Sequence, residues 1–142
     1  MSLKLTSSGG QQIQNKLNVV QRGIKNPQVP LKRIGIKLLN LVNKNFQTES
    51  NDGEGWEPLS ENAIARKGSS RILVDTGNLR ASFMYELKGN DTVVVGSPVF
   101  YSEFHEFGDG NISQRKMLPK PDKALKLAKQ EMQQYLVELT RK

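Results

Sequence analysis

The spacing of apolar residues predicts two helices in the first third of the chain. In the first helix, apolar side chains recur every three or four residues, at Ile13, Leu17, Val20 and Ile24. Asn26-Pro27 ends this helix, because the residue before a proline is pushed out of the helical region. The second helix runs from about residue 28 to Phe46, and five aliphatic residues form its buried face: Leu31, Ile34, Leu38, Leu41 and Val42. Further apolar residues around Gly35 predict that other elements cover this helix on more than one side.

The middle of the chain is predicted to form short elements separated by turns. Residues 47–55 are polar and rich in Gly, Asn and Asp, which favours a loop. Ser60 precedes a short helix that ends at Lys67-Gly68. The apolar run Ile72-Leu73-Val74 favours a short strand, and Thr76-Gly77-Asn78 favours either a turn or the cap of another short helix.

Alternating apolar and polar residues over 81–88 predict a half-buried strand. The turn Gly89-Asn90-Asp91 follows, and residues 92–96 form a second strand, so the segment of about 81–96 is a hairpin. The apolar face of its first strand consists of Phe83, Tyr85 and Leu87.

A last helix begins near Asp122, and its apolar face is formed by Leu125, Ala128, Met132, Tyr135, Leu136 and Leu139. The resulting fold class is α+β, in which an antiparallel sheet, the hairpin, is covered by the N-terminal helices and the long C-terminal helix. The length of 142 residues predicts a single domain over 1–142. Residues 1–25 form an N-terminal helical arm of this domain, and residues 28–142 form its core.

Charge is segregated along the chain. Residues 1–48 have a net charge of +8, residues 49–109 of −6 and residues 110–142 of +5. Basic ends favour nucleic-acid binding through the release of counterions from phosphates. The same distribution favours pairing of the acidic middle of one subunit with a basic helix of the next. A third interpretation, solvated helix faces, stays open at this point.

The chain has few residues for catalysis or metal binding. It contains no cysteine, and His105 is its only histidine, flanked by Glu103 and Glu106. On a strand Glu103 and His105 would share one side, but a metal site needs further ligands of this kind. We therefore predict a hydrogen-bonded, half-buried histidine, with no metal and no cofactor. No apolar run approaches the roughly 20 residues that span a bilayer, so no membrane contact is expected.

Val74-Asp75-Thr76-Gly77 matches the signature of aspartic proteases, in which two carboxylates share a proton. A structural interpretation is favoured over this one. Asn78 replaces the small residue that follows in those enzymes, and the 18 residues between Gly77 and Gly96 are too few for the intervening strands. Asp and Thr side chains commonly accept backbone N–H bonds at turns, and Arg80 is placed to pair with Asp75.

A basic run near the C-terminus is the best candidate for contact with DNA or an acidic partner. Lys123, Lys126 and Lys129 are spaced three apart and form a ridge on the last helix, which we call the lysine ridge. Without interleaved aromatic residues, sequence-specific recognition is not expected. The run consists of Arg115, Lys116, Lys120, Lys123, Lys126 and Lys129.

Three motifs occur in order along the chain: Gly55-Trp56-Glu57-Pro58-Leu59, Leu73-Val74-Asp75-Thr76-Gly77-Asn78-Leu79-Arg80 and Tyr101-Ser102-Glu103-Phe104-His105-Glu106-Phe107-Gly108. Together they resemble the phage virion morphogenesis proteins, which complete tails and join heads to tails in tailed bacteriophages. The resemblance covers roughly residues 28–125. It departs at Leu118-Pro119-Lys120-Pro121-Asp122, where the arginine and aromatic residue of the family pattern are missing. The motif residues it marks as structural are Trp56, Pro58, Asp75, Thr76, Gly77, Arg80, Tyr101, His105, Phe107 and Gly108.

The resemblance implies a non-enzymatic component of the virion tail or neck, assembled in the cytoplasm of the bacterial host. Its expected partners are copies of itself in a ring, other tail or neck proteins, and DNA passing through the channel without sequence preference. We expect the loops 47–55 and 109–118 to become ordered on assembly. The expected contact residues are Glu103, Glu106, Lys123, Lys126 and Lys129. The alternative is a non-specific nucleic-acid-binding protein that uses basic terminal helices.

Overall fold

The computed structural model describes residues 10–73 and 77–141, which form an α+β fold. Within these ranges the elements are six helices and two antiparallel pairs of short strands. The helices are α1 (Gly10–Lys25), α2 (Gln28–Thr48), α3 (Glu61–Lys67), α4 (Asn78–Ser82), α5 (Ser102–Phe107) and α6 (Pro121–Thr140). The strands are β1 (Ser50–Asn51), β2 (Glu54–Gly55), β3 (Met84–Lys88) and β4 (Thr92–Gly96).

Helix α2 is the central element, because both β3 and β4 pack on it and α6 packs on it as well. Its predicted buried face is confirmed for Leu31, Ile34, Val42 and Phe46. Gly35 is buried too, and Tyr85 of β3 lies directly over it. Two layers therefore meet α2, as the width of its apolar surface predicts.

The hydrophobic core lies at the C-terminal end of α2. The rings of Trp56 and Phe83 pack edge-on against Phe46, with centroids 5.4 Å and 5.8 Å away. Phe46 and Met117 are almost completely buried. The cluster consists of Val42, Phe46, Trp56, Ile72, Leu79, Phe83 and Met117.

The predicted hairpin is confirmed as β3 paired antiparallel with β4. Tyr85 and Leu87 are half-buried, and the residues between them are exposed, as the alternation predicts. The strand begins at Met84, later than expected, because residues 78–82 form α4. Gly77 precedes this helix with a φ of 80°, a conformation that glycine adopts without steric cost.

Two expectations for the middle of the chain are wrong. The predicted loop 47–55 contains a second hairpin, in which β1 pairs with β2. Its turn, Asp52-Gly53, has positive φ at both residues, as in the type I′ turns that join antiparallel strands. Ile72 and Leu73 lie in a turn and form no strand, while Val74 lies outside the described residues.

The short helix predicted to follow Ser60 is confirmed as α3. The Ser60 hydroxyl accepts a hydrogen bond from the Ala63 N–H at 3.1 Å and so caps α3. The helix ends at Gly68, which has the left-handed conformation typical of a helix C-terminus.

Helix α6 is long, as expected. Its predicted apolar face is half-buried or buried except at Leu125, which is 55% exposed. The inward side also contains Glu131, only 3% exposed, which pairs with Lys37 of α2. A second ion pair joins Arg33 of α2 to Glu138 at 2.9 Å. These two pairs link α6 to α2.

Helix α1 packs on α6 through Gly23, which is buried against Leu139 and Tyr135. Leu17 and Ile24 of the predicted apolar stripe are exposed, so α1 does not bury that stripe within this chain. No helix of the described ranges is long and apolar enough to cross a membrane.

The contact between α2 and β3 generates a stability prediction. A Cβ at Gly35 would lie 2.7 Å from the Tyr85 ring and 3.1 Å from the Tyr85 Cβ. We expect Gly35→Ala to lower the free energy of unfolding by about 1–2 kcal/mol, because overpacking outweighs the gain in helix propensity. Chemical denaturation measures this difference.

The matched control is Gly55→Ala, because nothing lies within 4 Å of a Cβ at Gly55. This change should leave the free energy of unfolding almost unaltered. Equal stability of the Gly35→Ala and Gly55→Ala variants would contradict the proposed packing of β3 on α2.

Candidate functional site

Residues 115–118 form a segment that belongs to no helix or strand, and its Met117 is part of the hydrophobic core. Met117 in this segment is 1% exposed, so its backbone polar groups need partners other than water. Side chains from four parts of the fold supply these partners. We call this set the clamp; it consists of Asn45, Asn51, Trp56 and Glu106.

Three members of the clamp donate hydrogen bonds to the carbonyl groups of the segment. Asn51 Nδ2 donates to Lys116 O at 3.0 Å and to Leu118 O at 2.8 Å. Trp56 Nε1 also donates to Lys116 O, at 2.8 Å. Asn45 Nδ2 donates to Met117 O at 2.9 Å. The end of α2, the β1–β2 hairpin and the Trp56 motif thereby hold one segment.

Glu106 completes the clamp from α5. Its carboxylate accepts hydrogen bonds from the backbone N–H groups of Met117, at 3.1 Å, and Leu118, at 2.8 Å. Burial raises the pKa of the Glu106 carboxyl, although these donors and the charge of Lys116 act in the opposite direction. The residue is 9% exposed and its carboxylate is occupied within the chain, while its contact with a partner stays a prediction.

Arg115 has a structural position that its place in the basic run does not predict. Its residue is buried, and its guanidinium donates to the carbonyls of Glu57 at 2.8 Å and Pro58 at 3.4 Å. Its own N–H donates to His105 O at 2.7 Å. Its guanidinium donors therefore serve the Trp56 motif within the chain, and contact of the basic run with DNA or an acidic partner stays a prediction.

His105 lies beside a cavity of about 550 Å³ whose lining includes Tyr101, Arg115 and Arg66. It is half-buried, as predicted, and its ring meets that of Tyr101 edge-on at 6.4 Å. Burial lowers the pKa of His105, and the positive charge of Arg115 lowers it further. Its Nδ1 has no hydrogen-bond partner among the described residues.

Residues 102–107 form the helix α5, whereas Glu103 and His105 were considered above as neighbours on one side of a strand. Residues two apart on a helix point to different sides, so Glu103 is exposed while His105 faces the interior. They do not converge as they would on a strand. Within the described ranges, no group of three or more His, Cys, Asp or Glu side chains is arranged to hold a metal ion.

The remaining motif residues build turns and packing contacts. Gly108 has φ 78° and ψ 159°, a conformation essentially restricted to glycine. Arg80 donates to Asn43 Oδ1 at 3.5 Å and Asn43 O at 3.4 Å, which ties α4 to α2. Asp75 and Thr76, including the expected Asp75–Arg80 pair, lie outside the described residues.

Part of the opposite charge along the chain is paired within one molecule. Lys123 pairs with Asp52 in the β1–β2 turn, and Lys120 pairs with Glu54 at 2.5 Å. Lys126 and Lys129 are exposed, and no described carboxylate lies within ion-pair distance of either. The lysine ridge therefore divides into one lysine that is paired and two that are not.

Aromatic side chains are exposed around α5. Phe100 and Phe107 are 78% and 72% exposed, and Phe104 is partly exposed beside Phe100. Glu103 is exposed on the same helix. We call these four residues the α5 patch. Adjacent apolar groups at this exposure are typical of surfaces that contact other proteins.

Sequence reasoning missed the two asparagines of the clamp and the structural role of Arg115. Asn45 and Asn51 occur in polar surroundings that favour solvent exposure, yet they are buried. The only signal was their proximity to Trp56 along the chain. Their partners lie 65–72 residues further on, in a segment without strand periodicity.

Comparison with known proteins gives one match. A model of the phage virion morphogenesis family matches residues 9–135, which include all three motifs and the whole clamp. No curated protein and no solved structure matches the chain.

The positive charge of Arg115 near His105 gives a prediction for the only histidine. Replacing Arg115 with Gln removes the positive charge, so the pKa of His105 should rise toward its ordinary value of 6.5. An NMR titration of the single imidazole measures it without ambiguity. Arg66→Gln, at the same cavity, is the control and should leave the His105 pKa in place. An unchanged pKa in the Arg115 variant would contradict the proposed electrostatic contact.

The raised pKa of Glu106 predicts how the free energy of unfolding depends on pH. Its pKa is raised on folding, so the stability given by its neutral form is complete below pH 4.5 and is lost as pH rises through the folded pKa. Glu106→Gln cannot ionise. The free energy of unfolding of this variant minus that of the wild type should therefore grow as the pH rises above 4.5.

Chemical denaturation at several pH values measures that difference, and a constant difference would contradict the prediction. Glu106→Ala is the comparison, because it leaves the N–H groups of Met117 and Leu118 without their acceptor. We expect it to cost about 1–3 kcal/mol across the whole pH range.

Proposed function

The chain belongs to the phage virion morphogenesis family, and from this we propose that it completes the tail or neck of a tailed phage. In this role it supports the joining of tail to head as a ring of identical subunits. The family match carries the general conclusion, a structural or assembly role in the bacteriophage virion. The assignment to tail or neck completion is supported by two observations. The motif residues hold the fold together, and charged residues of α5 and α6 are exposed for contact with other proteins.

A non-enzymatic role is supported by what the motif residues do. Trp56 and Glu106 hold the segment 115–118, and Arg115 holds the Trp56 motif. Their polar groups are occupied by backbone partners, which leaves them unavailable for proton transfer to a substrate. The aspartic protease alternative also conflicts with the fold, because long helices and two short hairpins replace the β-structure of that class.

Assembly with further copies is supported by the free charges. The pairs Lys120–Glu54 and Lys123–Asp52 satisfy part of the charge segregation within one chain. Lys126 and Lys129 on α6 and Glu103 on α5 remain exposed. Opposite charges on different faces favour head-to-tail contact, and such contacts close into rings when the rotation allows it.

Other tail or neck proteins and DNA in the channel are the further partners of this proposal. The protein then acts in the virion, at the tail or neck, after assembly in the host cytoplasm. The loop 47–55 contains the β1–β2 hairpin, and residues 116 and 118 are held by Asn51. That the loops 47–55 and 109–118 become ordered on assembly stays part of the proposal.

Non-specific nucleic-acid binding is the second candidate. It is favoured by the two unpaired lysines of α6, since phosphate neutralisation needs exposed cations. Under this candidate, affinity for duplex DNA falls steeply with salt, and the purified protein retards DNA of any sequence.

Deletion of the gene from the phage that encodes this chain tests the proposal. Electron microscopy of the lysate should show full heads and separate tails, because the joining step fails. Normal infectious particles would contradict the proposal, and DNA binding would then become the leading candidate.

Complementation of the deletion with Lys126→Glu/Lys129→Glu gives a more specific prediction. The double reversal should abolish joined particles while the protein stays folded, because both side chains are exposed and have no ion pair within the described chain. Lys123 is left in place to preserve its pair with Asp52. Lys16→Glu/Lys32→Glu, at exposed positions on α1 and α2, is the matched control and should complement. Wild-type particle yields with the α6 variant would refute the role of the lysine ridge.

A further inference from the structure

We infer that the surface between the β3–β4 hairpin and α5 binds helix α6 of a second copy, with Leu125 entering a small apolar cavity and Lys129 pairing with Glu103. This inference rests on the proposed assembly of identical subunits, and it names the two surfaces that meet. It uses none of the clamp's occupied hydrogen-bonding groups.

The cavity has a volume of about 170 Å³, the size of one large side chain, and opens beside α5. Buried residues of the core, Phe83 and Met117, contribute to its lining. Phe107 and Glu103 also line it, and both are exposed. A pocket with an apolar lining and exposed aromatic and charged neighbours has the features of an anchor site at protein interfaces.

The acidic residues in the lining of this cavity favour a positively charged neighbour for the side chain that enters it. Two carboxyl groups, those of Glu103 and Glu106, belong to its described lining, and no lysine or arginine does. Glu106 is engaged with Met117 and Leu118, which leaves Glu103 as the free anion. The cavity therefore suits an apolar side chain that has a cation beside it.

Helix α6 presents such a combination on its outer face. Leu125 is 55% exposed, although the sequence pattern of the helix groups it with buried residues. Lys129 lies four residues later, so the two side chains are neighbours on the helix surface. Lys126 adds a second exposed cation next to Leu125.

Charge complementarity within the sequence argues for a second copy as the occupant. Lys120 and Lys123 of the same basic region are already paired with acidic residues of their own chain, whereas Lys126 and Lys129 have no described carboxylate partner. The inserted residues, Leu125 and Lys129, lie on α6. The surface that receives them lies between α5 and the β3–β4 hairpin. Each added copy leaves one of each surface free, so the contact propagates until a ring closes.

A charge swap in the purified full-length chain tests this contact. The oligomer of the wild type is first measured by native mass spectrometry and analytical ultracentrifugation. Glu103→Lys and Lys129→Glu should each weaken assembly by about tenfold or more, because each places like charges opposite one another. The double variant Glu103→Lys/Lys129→Glu should restore assembly, which a merely structural effect of either change would not do.

Two controls separate this contact from general effects of charge. Glu61→Lys reverses an exposed acid of α3, outside both proposed surfaces, and Lys16→Glu reverses an exposed cation of α1. Both should assemble like the wild type. Leu125→Gln should weaken assembly, and circular dichroism should show native helix content in every variant.

Several results would overturn the inference. These are a wild type that stays monomeric at every concentration, single reversals that assemble normally, and a double variant that does not recover. The second and third leave the proposed function intact, provided that deletion of the gene still separates heads from tails. Normal particles from the deletion phage would instead refute the proposed function, even if the purified chain assembles through this contact.

Discussion

The fold depends on burying a backbone segment that belongs to no helix or strand. A buried N–H or C=O group without a partner costs free energy comparable to a lost hydrogen bond. Asn45, Asn51, Trp56 and Glu106 remove this cost for the segment 115–118. Because these side chains come from α2, the β1–β2 hairpin, the Trp56 motif and α5, satisfying one segment fixes the positions of all four.

This constraint explains why residues that resemble catalytic groups are present in a protein proposed to act by contact. A glutamate with a raised pKa and a histidine with a lowered pKa are features of many active sites. Here burial is the first cause of both shifts, and Glu106 is buried where its carboxylate binds the segment. The electrostatics of Glu106 and His105 are consequences of the architecture, while the exposed surfaces of α5 and α6 remain available for partners.

The sequence predicts much of this fold because its strongest signals are local. The apolar face of α2 follows a helical period, and the alternation of β3 is typical of a half-buried strand, so both were predicted correctly. The β1–β2 hairpin was missed because strands of two residues show no period, although Asp52-Gly53 is a favoured hairpin turn. The inward position of Glu131 was not predicted because its partner, Lys37, is 94 residues away along the chain.

The candidate site was harder to predict because its chemistry depends on distant neighbours. Arg115 and Lys129 are both basic residues of one run, yet Arg115 donates to the carbonyls of Glu57 and Pro58 and Lys129 is exposed. Composition and spacing do not distinguish such residues. Only the path of the backbone determines which cation meets a carbonyl group and which meets solvent.

Cryo-electron microscopy of the junction between head and tail, in particles of the phage that encodes this chain, tests the central claim most directly. The account predicts a closed ring of this fold at the tail or neck, with α6 of each copy against α5 and the β3–β4 hairpin of the next. Complete, infectious particles that contain no copy of the chain at this junction would contradict it.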